Sequence, residues 1–484
     1  MSEHPESGSA QFKKPTSKFK RPDKEGNKPQ SKKNQSKAPI CDTREVLTIC
    51  VGHAGCTLGS KLNEVICDEH GIDPNGTFMG ESDLQLYKID VFYQEAMGGN
   101  YVPRTVLIDL DAGDLDNVRG SMYGRTFRPS NFVFSRNGSG NNFAKSYYTS
   151  GADIIEESLD AIRREAESAT CLQGFQILHS IGGGTGSGLG SLLLDRLRDE
   201  YSGRIISTWS IMPSPKISDE VLEPYNAILA NKHMIDKADF NICVDNEALY
   251  DICNYKLRFP NPTFSDLNHL ISVAMSGVTA AFRFPGTTSH TLRSIATTLV
   301  PYPKLHYLIP GYAPLTSRDE QPYSNVSIKS LLPELLSTNS MLSPCDPKKG
   351  SYLATAILFR GGVSAEDVLQ YLDYSHVKSK DHKEWLPTDI QLGFCDIPAR
   401  GLKLSATALV NSTAITCTLK RLHKAFQALY SRKAFQKWYL AEGMEESEFS
   451  EANAATEDLI SEYQSHEGNS DKASKPANAK GKNK

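Results

Sequence analysis

The sequence predicts an α/β protein with a parallel-sheet domain, a central helix, a second α/β domain and a C-terminal helical hairpin. Three observations carry this expectation. Short apolar runs alternate with helical patterns from Arg44 to about Asp245, the cadence of a parallel sheet covered on both faces. The stretch ILHSIGGGTGSGLGSLLL at 177–194 packs five glycines, Thr185 and Ser187 into seven consecutive positions between a strand-like and a helix-like run. Leu267, Leu270, Ile271, Ala274, Met275 and Val278 recur at helical spacing as a broad apolar stripe, suited to a helix packed between domains.

Residues 1–40 carry ten basic residues against Glu3, Glu6, Asp23 and Glu25, with few large apolar side chains. They cannot offset ordering entropy by burial and are expected to form a disordered basic extension. The first domain is placed at 41–262. Within it EVLTICV, TVLIDL, GFQILHSI, RIISTWSI and FNICVD read as buried strands, mostly continuous and rich in β-branched residues. TLGSKLNEVICDEHG and DIIEESLDAIRREAES read as helices, the latter with Ile154, Ile155, Leu159 and Ile162 on one face. The central helix spans 263–286. An intermediate α/β domain at 287–415 holds the strands KLHYLIP, YLATAILFR and LSATALV, and two helices fill 416–465. The tail, 466–484, has five lysines against Glu467 and Asp471. With both ends positive and a net charge of −4, the body between them is acidic. Basic tails of this kind suit an acidic partner surface.

Composition limits the function classes. With 39% hydrophobic and 23% charged residues the chain reads as a soluble globular protein of two or three domains. No apolar run approaches the eighteen or so residues of a membrane span, and MSEHPESGSAQFKK lacks the apolar core of a secretory signal. The ten cysteines form no CxxC pair, which points to reduced thiols rather than zinc or disulfides.

The chemistry concentrates in GGGTGSG. A strand that ends in glycines at a helix N-terminus offers bare N–H groups and a favourable dipole to phosphate oxygens. The motif GxxxxGK[ST] is not met, because no lysine follows, so Mg²⁺ is the simplest source of charge neutralisation. The dinucleotide fingerprint GxGxxG also fails, since Ser187, Leu189, Ser191 and Leu193 stand where a third glycine is required. That weighs against a dinucleotide-dependent enzyme.

GGGTGSG resembles the tubulin signature, and the resemblance runs from Arg44 to about Gln464, through DEHGIDPNGT, NYVPRTVLIDL, RPSNFVF, DNEALYDIC, DLNHL, SGVTAAFRFPG, CDIPARGLK and RKAFQKWY. It is closest to the β-type members: there is no room between Phe359-Arg360 and Cys395 for the α-type insertion, and the loop before Ile295 lacks the α-type acidic residue. The resemblance implies GTP/GDP and Mg²⁺ as cofactors. On that basis Ser180, Gly184, Thr185 and Gly186 belong to the phosphate loop, and Gly140, Asn141 and Asn142 to a second phosphate-side loop. Asp219 and Glu223 fall on the ribose side, Asn246 and Asn268 read guanine, and Phe264 replaces the base-stacking tyrosine. His53 stands where the family has a phosphate-contacting glutamine, with Ala54 and Thr57 as further departures. Asp111 replaces the glutamate associated with the metal. Ser289, Thr291 and Ser294 replace the asparagine, aspartate and lysine of a loop that reaches the neighbouring subunit's nucleotide.

The implied function is a GTP-binding structural subunit that pairs with α-tubulin and polymerises head to tail into the microtubule lattice. Hydrolysis would be completed in trans, with no catalytic residue of its own. The implied location is cytoplasmic and cytoskeletal; neither nucleic acid nor a transmembrane segment is expected. A regulatory or capping tubulin that polymerises poorly is the alternative. The basic tail, opposite to the family's acidic one, suits the acidic tails of neighbouring subunits or an anionic membrane surface.

Overall fold

The computed structural model describes residues 44–259, 261–286, 290–317, 326–374 and 390–467. The expectations for 1–40, for Ser289 and for the tail beyond 467 lie outside them. Everything below belongs to one compact unit, Cys41–Lys484.

Strand β1 (Glu45–Val51) is buried along its whole length, as a strand covered on both faces must be. Gly52, at φ +75°, turns the chain into α1 (Gly52–His70). A short hairpin, β2 (Tyr93–Glu95) with β3 (Tyr101–Pro103), precedes β4 (Thr105–Asp109), α2 (Ala112–Gly120) and β5 (Phe132–Phe134). Strand and helix then alternate through α3 (Ser150–Ser168), β6 (Leu172–Ser180), α4 (Gly190–Glu200), β7 (Ile205–Met212), α5 (Glu223–Lys237), β8 (Phe240–Asp245) and α6 (Asn246–Asp251).

The central helix, α7 (Phe264–Arg283), opens on a capping box in which Asp266 accepts from the Thr263 amide at 2.9 Å. Beyond it come α8 (Leu292–Leu299), β9 (Tyr307–Ala313), α9 (Ile328–Leu335), β10 (Tyr352–Gly361), α10 (Ala365–Tyr374), β11 (Ile390–Cys395) and β12 (Leu404–Ser412). The C-terminal part holds α11 (Thr416–Tyr430) and α13 (Glu446–His466), with a five-residue helix, α12 (Gln436–Leu440), between the two expected from sequence.

Among the described residues ten strands form one sheet in the order β11-β10-β12-β9-β8-β7-β6-β1-β4-β5. From β5 to β8 every pairing is parallel. The second α/β unit joins the first through the sheet itself, but its link is short: β9 pairs with β8 only at Asn241↔Tyr307 and Ile242↔Leu308. Alternate residues of β1 feed two cores. Leu47, Ile49 and Val51 face the layer of α3, α4, α5 and the C-terminal helices, whereas Val46 and Cys50 face the layer of α1, α2 and α7.

A buried ion cluster fastens the second layer to β10. Glu69, on α1, meets Arg283 of α7 at 2.8 Å and Arg360 of β10 at 2.7 Å. Burial disfavours the Glu69 charge, but the two guanidinium groups outweigh it and hold the carboxyl at about 2. Beside it His70 stacks on Phe284, its Nδ1 lies 2.6 Å from the Gln85 carbonyl, and burial with Arg283 nearby pushes it down to about 3.

Candidate functional site

The chain passes from β1 outward to β4 and β5, then returns to place β6 on the other side of β1. The C-terminal ends of β1 and β6 therefore flank the topological switch point, where open parallel sheets bind ligands. The turn Gly52–His53 leaves β1 there, and Ser180 with the glycine loop leaves β6. Neither helical run starting at this point has a side-chain cap or an acid in its first turn. The two turns touch: a Cβ on Gly52 would lie 3.1 Å from the Gly186 nitrogen. Two helix N-termini in contact, neither capped by its own N-cap side chain, favour an anion.

The glycines of 182–188 serve close packing rather than unusual dihedrals. None of them has positive φ. A Cβ would meet the Asn142 nitrogen at 2.6 Å from Gly184, the Ser180 oxygen at 2.3 Å from Gly186 and the Phe143 oxygen at 2.4 Å from Gly188. Gly183 alone is open, with its nearest neighbour, Asn141 Oδ1, at 4.0 Å. The run enters α4 through a π-helical turn at Thr185–Leu189, stitched by Ser187 Oγ donating to the Gly183 oxygen at 2.5 Å. Such widened turns gather at functional sites.

A cavity of about 460 Å³ opens beside this point, and His53, Ser180, Asn246, Phe264 and Asn268 all line it. Phe264, first residue of α7, is 61% exposed and touches Tyr250 edge to face. Asn268 Nδ2 donates to Thr57 Oγ1 at 3.4 Å, which brings α7 against α1 across the cavity floor. The remaining sequence-derived residues surround this lining. Asn141 accepts from the Gly184 amide at 3.0 Å and so belongs to the glycine loop, with Thr185 and Gly186. Asp219 is exposed on the loop before α5 and stays apart from the lining. Its neighbour Glu223 reaches the glycine loop, 3.2 Å from where a Gly182 Cβ would stand.

Two residues escaped the sequence reading. Asp114, on the first turn of α2, pairs with His53 Nδ1 at 2.8 Å. Asn226 of α5 is fully buried and ties the Asn141 and Gly182 carbonyls together, donating to both at 2.9 Å. Its signal was an amide within the apolar run Tyr225, Ala227, Ile228 and Leu229.

Asp111 is exposed and its Oδ1 caps α2, accepting from the Gly113 amide at 3.0 Å. Two residues back, Asp109 is buried with its Oδ2 unpartnered, and burial pushes its carboxyl up to about 7. Among the described residues no cluster of three or more His, Cys, Asp or Glu could hold a metal alone. One or two carboxylates beside a phosphate site fit Mg²⁺, which keeps most of its shell for water and phosphate.

On the far loop, Thr291 and Ser294 form a reciprocal cap of α8: Thr291 Oγ1 accepts from the Ser294 amide at 3.1 Å, and Ser294 Oγ from the Thr291 amide at 3.1 Å.

A glycine loop at the switch point of a parallel sheet, with an amide- and aromatic-lined cavity beside it, defines a nucleotide-binding α/β protein. Two family models match the chain: the Tubulin/FtsZ family GTPase domain over residues 45–254 and the Tubulin C-terminal domain over residues 303–424. Together they cover well over half of it, and the chain belongs to the tubulin family, as a tubulin-like cytoskeletal GTP-binding protein. Among the described residues no helix is long and apolar enough to cross a membrane.

Proposed function

We propose that this chain is a β-type tubulin that binds GTP or GDP, pairs with an α-type subunit and assembles head to tail, with hydrolysis completed by the neighbouring subunit. The supporting observation is the convergence of Ser180, Asn246, Phe264 and Asn268 on one cavity beside two helix N-termini without a cap from their own N-cap side chains. Phosphates would lie against the Gly183 region, guanine between the two asparagine amides with Phe264 on its face, and the ribose toward Asp219. Asp111, with Asp109 behind it, would hold Mg²⁺, whose charge offsets that of the phosphates. Subunit contact beside the site is favoured by an exposed apolar edge on and before α12: Phe435, Trp438 and Leu440 are each at least 40% exposed.

The capping alternative draws on α8. Thr291 and Ser294 are spent on each other, so the loop that would approach the next subunit's nucleotide offers no cation at position 294. Coexpression with α-tubulin, polymer pelleting and identification of the nucleotide released on denaturation test both readings. A stoichiometric guanine nucleotide with co-pelleting supports the first reading; nucleotide and α-tubulin binding without pelleting supports the second. A preparation free of guanine nucleotide under saturating GTP would overturn both.

A further inference from the structure

We propose that Asn226 is a positioning residue through which α12 reads the occupancy of the glycine loop, an inference that rests on a guanine nucleotide binding there. Asn226 saturates every bond an amide side chain can make. It donates to the Asn141 and Gly182 carbonyls at 2.9 Å each, and its Oδ1 accepts from the Phe143 amide at 3.1 Å and the Tyr439 hydroxyl at 2.8 Å. Two phosphate-side loops and α12 thus share one buried amide. A second tie runs in parallel, from Asn142 Nδ2 to the Trp438 carbonyl at 3.2 Å.

Left-handed backbone sits at both ends of this relay. Among the described residues four that are not glycine have positive φ, and three of these are Asn141 (55°), Lys433 (51°) and Phe435 (59°). Asparagine tolerates that region, but a phenylalanine held there is strained and persists only because its surroundings impose it. With five residues, α12 is far too short to hold itself. Its conformation therefore depends on its ties: those of Tyr439 and Trp438 to the loops, the Tyr439 ring packed on Tyr225 and Phe449, and the Tyr225 hydroxyl donating to the Ala434 carbonyl at 2.9 Å. A ligand that moves the Gly182 or Asn141 carbonyl changes the geometry at Asn226 and shifts the balance of α12, including the exposed Phe435–Trp438 pair, whose rings lie 5.1 Å apart.

Hydrogen exchange on the full chain tests this, with and without saturating GDP or GTP. Amides of 434–442 are expected to exchange at least about fivefold more slowly with nucleotide bound, the lower end of ordinary coupling between sites. Tyr439→Phe removes one hydroxyl and fills the same space. It is expected to cut that protection below about twofold while nucleotide affinity stays within about threefold. Unchanged exchange at 434–442 in wild type with nucleotide demonstrably bound overturns the coupling alone. Full protection in Tyr439→Phe overturns the route through Asn226. Failure of wild type to bind any guanine nucleotide removes the underlying reading and the coupling with it.

Discussion

The backbone amide of Gly184 donates to the side-chain oxygen of Asn141 across 3.0 Å, joining loops 43 residues apart. Asn141 holds φ 55°, a region asparagine visits at low cost. Asn141→Ala loses both advantages, and the fold is expected to lose about 1–2 kcal/mol. Asn141→Asp keeps the acceptor and the tolerance but sets a negative charge beside the phosphates. Its stability should stay near wild type while nucleotide affinity falls at least about tenfold. Urea denaturation and nucleotide titration separate the two effects, and equal behaviour of the two variants would contradict the assignment.

Gly183 and Gly186 should respond oppositely to alanine. A methyl on Gly186 overlaps the Ser180 oxygen, and overpacking of this kind costs roughly 1–3 kcal/mol. Gly183→Ala meets nothing closer than 4.0 Å, so its stability should be unchanged while phosphate approach suffers. Thermal unfolding of both nucleotide-free variants, with diphosphate affinity measured alongside, checks the contrast.

Phe264→Ala is expected to leave folding almost untouched, since the ring is largely exposed. Loss of base stacking should cost about 1–2 kcal/mol of binding, roughly tenfold in affinity. Guanosine and GDP should weaken alike, because the ring would touch the base; selective loss of GDP binding would place it elsewhere.

The groups around Glu69 make the fold lose stability on acidification, whereas Asp109, raised to about 7, acts in the opposite direction between about 7 and 3.8. The folded values, about 3 for His70 and about 2 for Glu69, lie below the unfolded ones, so the unfolded chain binds more protons. The His70 contribution is present above about pH 6.5 and lost toward 3; the Glu69 contribution is lost from about 4.5 toward 2. Each contributes a slope of at most about 1.4 kcal/mol per pH unit in its range. His70→Gln should lower the slope between pH 4.5 and 6.5 relative to wild type, on a background to which His179 and His306 add and from which Asp109 subtracts. Urea midpoints at several pH values, with an unaltered slope in the variant, would refute this.

The parts legible in the sequence were those in which local pattern and tertiary role coincide. β1 and β7 are long, buried and β-branched, β6 is long and mostly buried, and the glycine loop between β6 and α4 announces itself by composition. β2, β3 and β5 are three residues each, too short for any periodicity to register. The glycine loop falls between strand and helix as expected, and the structure adds a reason the composition could not show: contact with Ser180, Asn142 and Phe143 excludes a Cβ at Gly186, Gly184 and Gly188. Asp114 beside His53 and Asn226 between two loops were hidden because each acts on segments distant in sequence. Thr291 and Ser294, read as losses from a neighbour's site, acquire a local purpose in the α8 cap.

The junction of β8 and β9 has a mechanical meaning. Two residue pairs join the halves of the sheet there, against seven between β6 and β7. Backbone bonds along a strand share a shearing load in parallel, so a pull applied to the two halves meets its weakest line at Asn241–Ile242. At that seam the sheet itself resists least, and the load falls on side chains that cross it, among them the Glu69–Arg283–Arg360 cluster and the two shared cores.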